Sequence, residues 1–196
     1  VLVPHFKDEY WLSVGFGLEQ EAETQNIKLM FFEAGGYPNH STQIEQLKVC
    51  AARNADAILL GAVSSDHSAL TDAIARVAQN IPVFGLVNEL NTARLSGRVG
   101  VDWYDMGYVL GDHLTGPAEA GWTGPLERGL RDGLAGSAIT ILEISGADTG
   151  LREQLALTEL ALERHPDADY LIGNAPAVEA AIGLIANESN ANRPQL

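Results

Sequence analysis

The chain has 196 residues, enough for one large α/β domain or for two smaller lobes with separate cores. Its 12 basic and 26 acidic residues give a formal charge of −14, a field that works against nucleic-acid binding. At 46% hydrophobic and 19% charged residues the composition excludes disorder. No apolar run approaches the roughly 20 residues of a membrane-spanning helix.

Short β-rich runs alternate with longer amphipathic runs, the pattern of βαβ units around a parallel sheet. Val1-Leu2-Val3 reads as a strand already under way, so a processed or truncated start is expected and the lack of a signal peptide says nothing about export. A helix follows from Trp11 to Thr24, with Leu12, Gly15, Phe16 and Leu18 set against Glu19, Glu21 and Glu23. Further strands are expected at Ile27 to Phe32, Ala57 to Leu60, Pro82 to Val87, Arg98 to Val101, Ala138 to Ile144 and Tyr170 to Ile172. Helices should begin near Ser41, Asp66, Asp105 and Thr149. Cys50, the single cysteine, falls on the apolar face of the second helix and reads as packing. The segment Asn88 to Gly97 is polar and reads as a surface crossing between strands.

Two lobes fit this order better than one sheet: residues 1–114 form the first, with five strands, and residues 115–196 form the second, with two. The alternation demands a strand between Leu114 and the Gly116-Pro117 turn that is not there. Residues are therefore expected to be missing near 114/115 and after 196.

Signs of catalysis are thin. The histidines lack metal-ligand spacing, and Gly15-Phe16-Gly17 lies inside a helix, so it is no dinucleotide fingerprint. Ser64-Ser65-Asp66 lacks the glycine elbow of a hydrolase and reads as a helix cap. The aromatic residues say more, because Tyr10, Trp11, Tyr37, Trp103 and Trp122 all fall where a strand hands over to a helix, the edge at which open α/β sheets place ligands. With Asp8 beside them they suit a small cationic or methylated ligand, since aromatic faces attract a positive nitrogen and indole N–H or phenol O–H groups can donate to an oxygen. Each has a plainer reading: Trp11 and Trp122 as core residues, and Asp8 as the cap of the first helix.

The run His5-Phe6-Lys7-Asp8-Glu9-Tyr10-Trp11 and the later Phe32-Glu33-Ala34-Gly35-Gly36-Tyr37 resemble the type I periplasmic binding proteins. Val99 to Gly107, Gly121-Trp122, Asp148-Thr149-Gly150 and His165-Pro166-Asp167 extend the resemblance over nearly the whole chain. It implies two doubly wound lobes with a ligand between them, the second lobe incomplete here, and a periplasmic location. Within that family the match is to a trimethylamine N-oxide sensor, which implies that ligand or a related methylated amine, a membrane-bound histidine kinase as partner, no cofactor, no metal and no enzymatic activity. A sugar-binding protein of an ABC transporter is the alternative with the same fold. Asp148 and Asn174 take positions where the family places polar ligand contacts, though Asn174 before Ala175-Pro176 is also a natural cap. On this reading Trp11, Tyr37 and Trp103 line one wall of a cleft, and Trp122 approaches from the opposite lobe.

Overall fold

The computed structural model describes residues 1–92, 94–110, 120–187 and 194. It divides into two compact units, Val1–Val101 with Glu119–Trp122, and Asp102–Ala118 with Thr123–Leu196. The expected joint at 114/115 and the chain's last residues lie outside the described residues.

The first unit runs β1 (Leu2–Val3), α1 (Glu9–Thr24), β2 (Phe32–Glu33), α2 (His40–Ala52), β3 (Ile58–Leu60), α3 (Ser68–Val77), β4 (Val83–Leu86), β5 (Gly97–Val99). All five strands are parallel, in the order β2-β1-β3-β4-β5. Leu2 pairs with Phe32 on one side and Leu60 on the other, so β1 is central and its two residues are fully buried. The core gathers Leu2, Ile58, Leu60 and Val83 from the strands with Leu47, Cys50, Leu70 and Ile74 from α2 and α3. Each large apolar side chain removed from water contributes about 1.5–3 kcal/mol. Cys50 is a buried free thiol, and burial raises its pKa above the ordinary 9.0. The ladder of β2 is shorter than the run Ile27 to Phe32, because β2 is an edge strand that pairs with β1 alone and Ile27 and Met30 stay exposed.

The chain winds one way from β1 to β2 and the other way from β3 onward, so the carboxyl ends of β1 and β3 flank the switch point of the sheet. The loops after those strands, His5 to Asp8 and Gly61 to His67, therefore meet at the edge where such sheets bind ligands.

The second unit contains α4 (Trp103–Leu110), α5 (Thr123–Leu134), α6 (Leu151–Arg164) and α7 (Ala175–Asn187). Helix α4 packs on α5, where Gly129 and Gly133 let the two backbones meet at Tyr104 and Tyr108. Helices α6 and α7 close a small core of Ala161, Leu171, Ala177, Ala181 and Ile185. The strands expected at Ala138 to Ile144 and Tyr170 to Ile172 do not form; Gly146, Tyr170 and Gly173 make only isolated bridges. Isolated bridges of this kind satisfy too few backbone groups to make a stable sheet.

Candidate ligand-binding site

Three loops at the carboxyl edge of the first unit's sheet converge on one phenol. Asp8 caps α1, its Oδ1 accepting from the Trp11 N–H at 2.9 Å, and this capping turn puts the Trp11 ring inward. The ring is 1% exposed and lies against Gly61, the first residue after β3. A Cβ at Gly61 would come within 2.8 Å of Trp11 Cζ3, so only glycine leaves room for the indole. Tyr37 follows β2 through Gly35 and Gly36, whose φ angles of 88° and 148° turn the chain in a way other residues rarely adopt. Its ring is 2% exposed and meets the buried His5 edge-on at 5.6 Å.

The Tyr37 hydroxyl accepts from the indole N–H of Trp11 at 3.3 Å and from the indole N–H of Trp122, also at 3.3 Å. Trp122 is held by Gly121, whose Cβ position lies about 3.0 Å from the carbonyl carbon of Glu89, leaving no space for a side chain. Burial pushes the Tyr37 phenol above its ordinary 10.0, and the Asp8 charge adds to the rise; hydrogen bonds from Trp11, Trp122 and Asn88 oppose it. The phenol stays neutral at physiological pH.

Side chains that the sequence did not single out support this cluster. Gln43 of α2, fully buried, donates to the Gly61 carbonyl at 3.0 Å and accepts from the Val63 N–H at 3.0 Å, fixing the loop after β3. Asn88 donates to the Ala62 carbonyl at 2.7 Å, and its Oδ1 is buried with no hydrogen-bond partner among the described residues. Asn88 follows Val87, which holds φ at +62°, a left-handed conformation costing a β-branched residue about 1–3 kcal/mol. The His5 Nδ1 accepts from the Lys7 N–H at 3.2 Å. Asn88 and His5 were findable as polar residues two positions beyond a strand, whereas Gln43 sits on an otherwise apolar helix face and gives no such signal.

The structure thus brings together Asp8, Tyr10, Trp11, Tyr37 and Trp122. Tyr10 is the outer member, 48% exposed and edge-on to Trp11 at 6.1 Å. The expected division of the tryptophans is reversed. Trp122 shares the Tyr37 hydroxyl with Trp11, because Gly121 packs on the Glu89 backbone, while Trp103 is buried in the second unit, because α4 packs on α5. Asp148 and Asn174 are also in the second unit, where Asp148 bonds to its chain neighbour and Asn174 caps α7. Asp148 Oδ1 accepts from the Thr149 N–H at 3.0 Å, and Asn174 Oδ1 accepts from the Ala177 N–H at 3.0 Å. Ser64 behaves as a turn residue, accepting from the His67 N–H at 3.2 Å just before α3. A cavity of about 400 Å³ in the second unit is lined by none of the predicted ligand residues.

A doubly wound parallel sheet with an aromatic cluster at its switch point is the architecture of a binding protein. Residues 1–116 match the family described as a periplasmic binding protein domain, and the chain belongs to that family, with the type I fold. Its compartment is the periplasm. No helix among the described residues is long and apolar enough to cross a membrane.

The chain is TorT-like. The periplasmic protein TorT of Escherichia coli O157:H7 is 36% identical to it over 196 residues, covering 93% of this chain and 56% of TorT. A chain in the crystal structure of the TorS sensor domain–TorT complex in the presence of TMAO superposes with a TM-score of 0.78 at 34% identity, covering 100% of this chain and 71% of that one. An ABC transporter solute binding protein from Bradyrhizobium sp. BTAi1, with bound bis-tris, gives a TM-score of 0.72 at 35% identity, covering 100% of this chain and 63% of that one. The chain spans about 56% of the length of the curated relatives it matches.

Proposed function

We propose that this protein is a sensor that binds trimethylamine N-oxide, or a similar small methylated amine, without transforming it, and reports occupancy to a membrane-bound histidine kinase. The observation that carries the reading is the convergence of two indole N–H groups, from Trp11 and Trp122, on one buried oxygen. An amine oxide presents an acceptor oxygen of the same kind, together with methyl groups on a cationic nitrogen. Aromatic faces attract such a cation by about 0.5–2 kcal/mol each, and a carboxylate such as Asp8 balances its charge.

Tyr10, Trp11, Tyr37 and Trp122 are the proposed aromatic contacts, and Asp8 the proposed counter-charge. Trp103 is a further contact proposed from residues 1–114, and Asp148 and Asn174 are contacts proposed from residues 115–196. The likeness to TorT, and to a complex of TorT with the TorS sensor domain in the presence of TMAO, supports the ligand and the partner. A binding protein gains signalling power when its ligand prefers one of two conformations, so the kinase would read a population shift.

Tryptophan fluorescence gives a direct assay, because Trp11 and Trp122 both lie in the cluster. Titration with trimethylamine N-oxide should change the emission saturably. A silent titration with the amine oxide beside a saturable response to a pentose or hexose would replace this reading with the sugar-binding one.

A further inference from the structure

Position 43 of α2 holds a carboxamide where packing alone calls for an apolar side chain. Gln43 is fully buried and shares the inward face of α2 with Leu47 and Cys50, one and two turns further on. A buried amide is tolerated only where both of its ends are bonded, a demand that an apolar residue of similar size would not make. Here both ends are bonded, and both to one loop. Nε2 donates to the Gly61 carbonyl and Oε1 accepts from the Val63 N–H, each at 3.0 Å. One end meets an acceptor and the other a donor, so the amide has a single orientation. The backbone between these two bonds is held by other elements. Asn88 donates to the Ala62 carbonyl at 2.7 Å, and the Gly61 N–H donates to the Leu2 carbonyl at 2.8 Å. Three successive residues after β3 are therefore fixed from α2, from β1 and from the turn after β4. The Trp11 ring rests on this loop: a Cβ at Gly61 would lie within 3.1 Å of three atoms of its six-membered ring.

We propose that Gln43 is a positioning residue for the ligand site. By holding the Gly61 carbonyl and the Val63 N–H it fixes the backbone against which Trp11 lies, and so sets the affinity for a ligand that packs on that indole. The inference rests on the amine-oxide reading above. A contact group locked to within about 0.5 Å by its supporting residues binds without first having to be ordered, and affinity falls when that support is removed. This accounts for a polar side chain in the core at a point where an apolar one would serve stability as well: a fully bonded buried amide specifies one arrangement of the groups around it.

The test is calorimetric titration of this chain and three variants with trimethylamine N-oxide, each variant first checked for folding by its thermal melt. Gln43→Met is close in volume and removes both bonds. Gln43→Glu keeps an acceptor for the Val63 N–H, but its ionised carboxylate has no proton for the Gly61 carbonyl. Leu47→Ala takes packing from the same helix face and removes no hydrogen bond, so it lowers stability alone. Both Gln43 variants should bind trimethylamine N-oxide about tenfold more weakly or worse, and Leu47→Ala should bind as the wild type does although it melts lower. Should Gln43→Met not fold, Gln43→Glu decides by the same criterion. Wild-type affinity in a folded Gln43 variant, or a loss in Leu47→Ala as large as theirs, would overturn the positioning role and leave the amine-oxide reading standing. No binding by the wild-type chain would overturn both.

Discussion

Replacing Tyr37 by Phe removes one oxygen and, with it, the acceptor for two buried indole N–H groups. The ring and its edge contact with His5 at 5.6 Å are kept, so the substitution isolates the hydroxyl. A buried donor left without a partner costs about 1–3 kcal/mol, so two donors set an expected loss of about 2–6 kcal/mol, with the lower half favoured by relaxation of the rings. For a chain of this size each kcal/mol lowers the melting temperature by about 2–4 °C, so a fall of at least about 4 °C is expected in thermal unfolding followed by tryptophan emission. Trp122→Phe removes one donor and leaves the other, and should cost less. In a double-mutant cycle the two losses should fall short of additivity by about 0.5–3 kcal/mol, because both act through the same oxygen. A Tyr37→Phe variant that melts within 1 °C of wild type, or additive losses in the cycle, would refute the hydroxyl as the joint of the cluster.

Gly61→Ala should destabilise the protein by about 1–3 kcal/mol, since its Cβ must displace the Trp11 indole, and should weaken amine-oxide binding in parallel; a binding-competent, wild-type-stable variant would contradict the packing described. Val87→Gly should leave stability within about 1 kcal/mol of wild type, because relief of the +62° φ offsets the entropy of glycine, whereas an unstrained strand valine would show a clear loss in denaturant titration. Because burial raises the Tyr37 phenol above 10.0, the folded state holds its proton longer than the unfolded chain. The stability it contributes is complete below pH 10 and is lost as the pH rises beyond it, and Tyr37→Phe should flatten this alkaline decline in a melting series.

The first unit was largely legible because its signals are local: strand-length apolar runs, punctuated by turn residues, alternate with amphipathic helices. Five expected strands correspond to β1 through β5, and the loops beyond β1 and β2 supply Tyr10, Trp11 and Tyr37 of the aromatic cluster. Periodicity does not report pairing, which is why β2 was read too long and why Ala138 to Ile144 looked like a strand although it forms no ladder among the described residues. Asp8 was open between capping and ligand pairing; one oxygen caps α1, and the ligand role stays a proposal. The tryptophans were assigned by their order along the chain. Two close approaches decided otherwise: Gly121 on the Glu89 backbone seats Trp122 beside Tyr37, and the glycines of α5 draw α4, with Trp103, into the second unit. The strain at Val87 and the bonding of Gln43 depend on residues distant in sequence, and no spacing rule exposes them.

Isothermal titration calorimetry of the protein with trimethylamine N-oxide tests the central claim most directly. The account predicts saturable one-site binding with a negative heat-capacity change, abolished by Trp11→Ala in a protein that remains folded. No binding of the amine oxide, or binding that survives loss of the Trp11 indole, would contradict it.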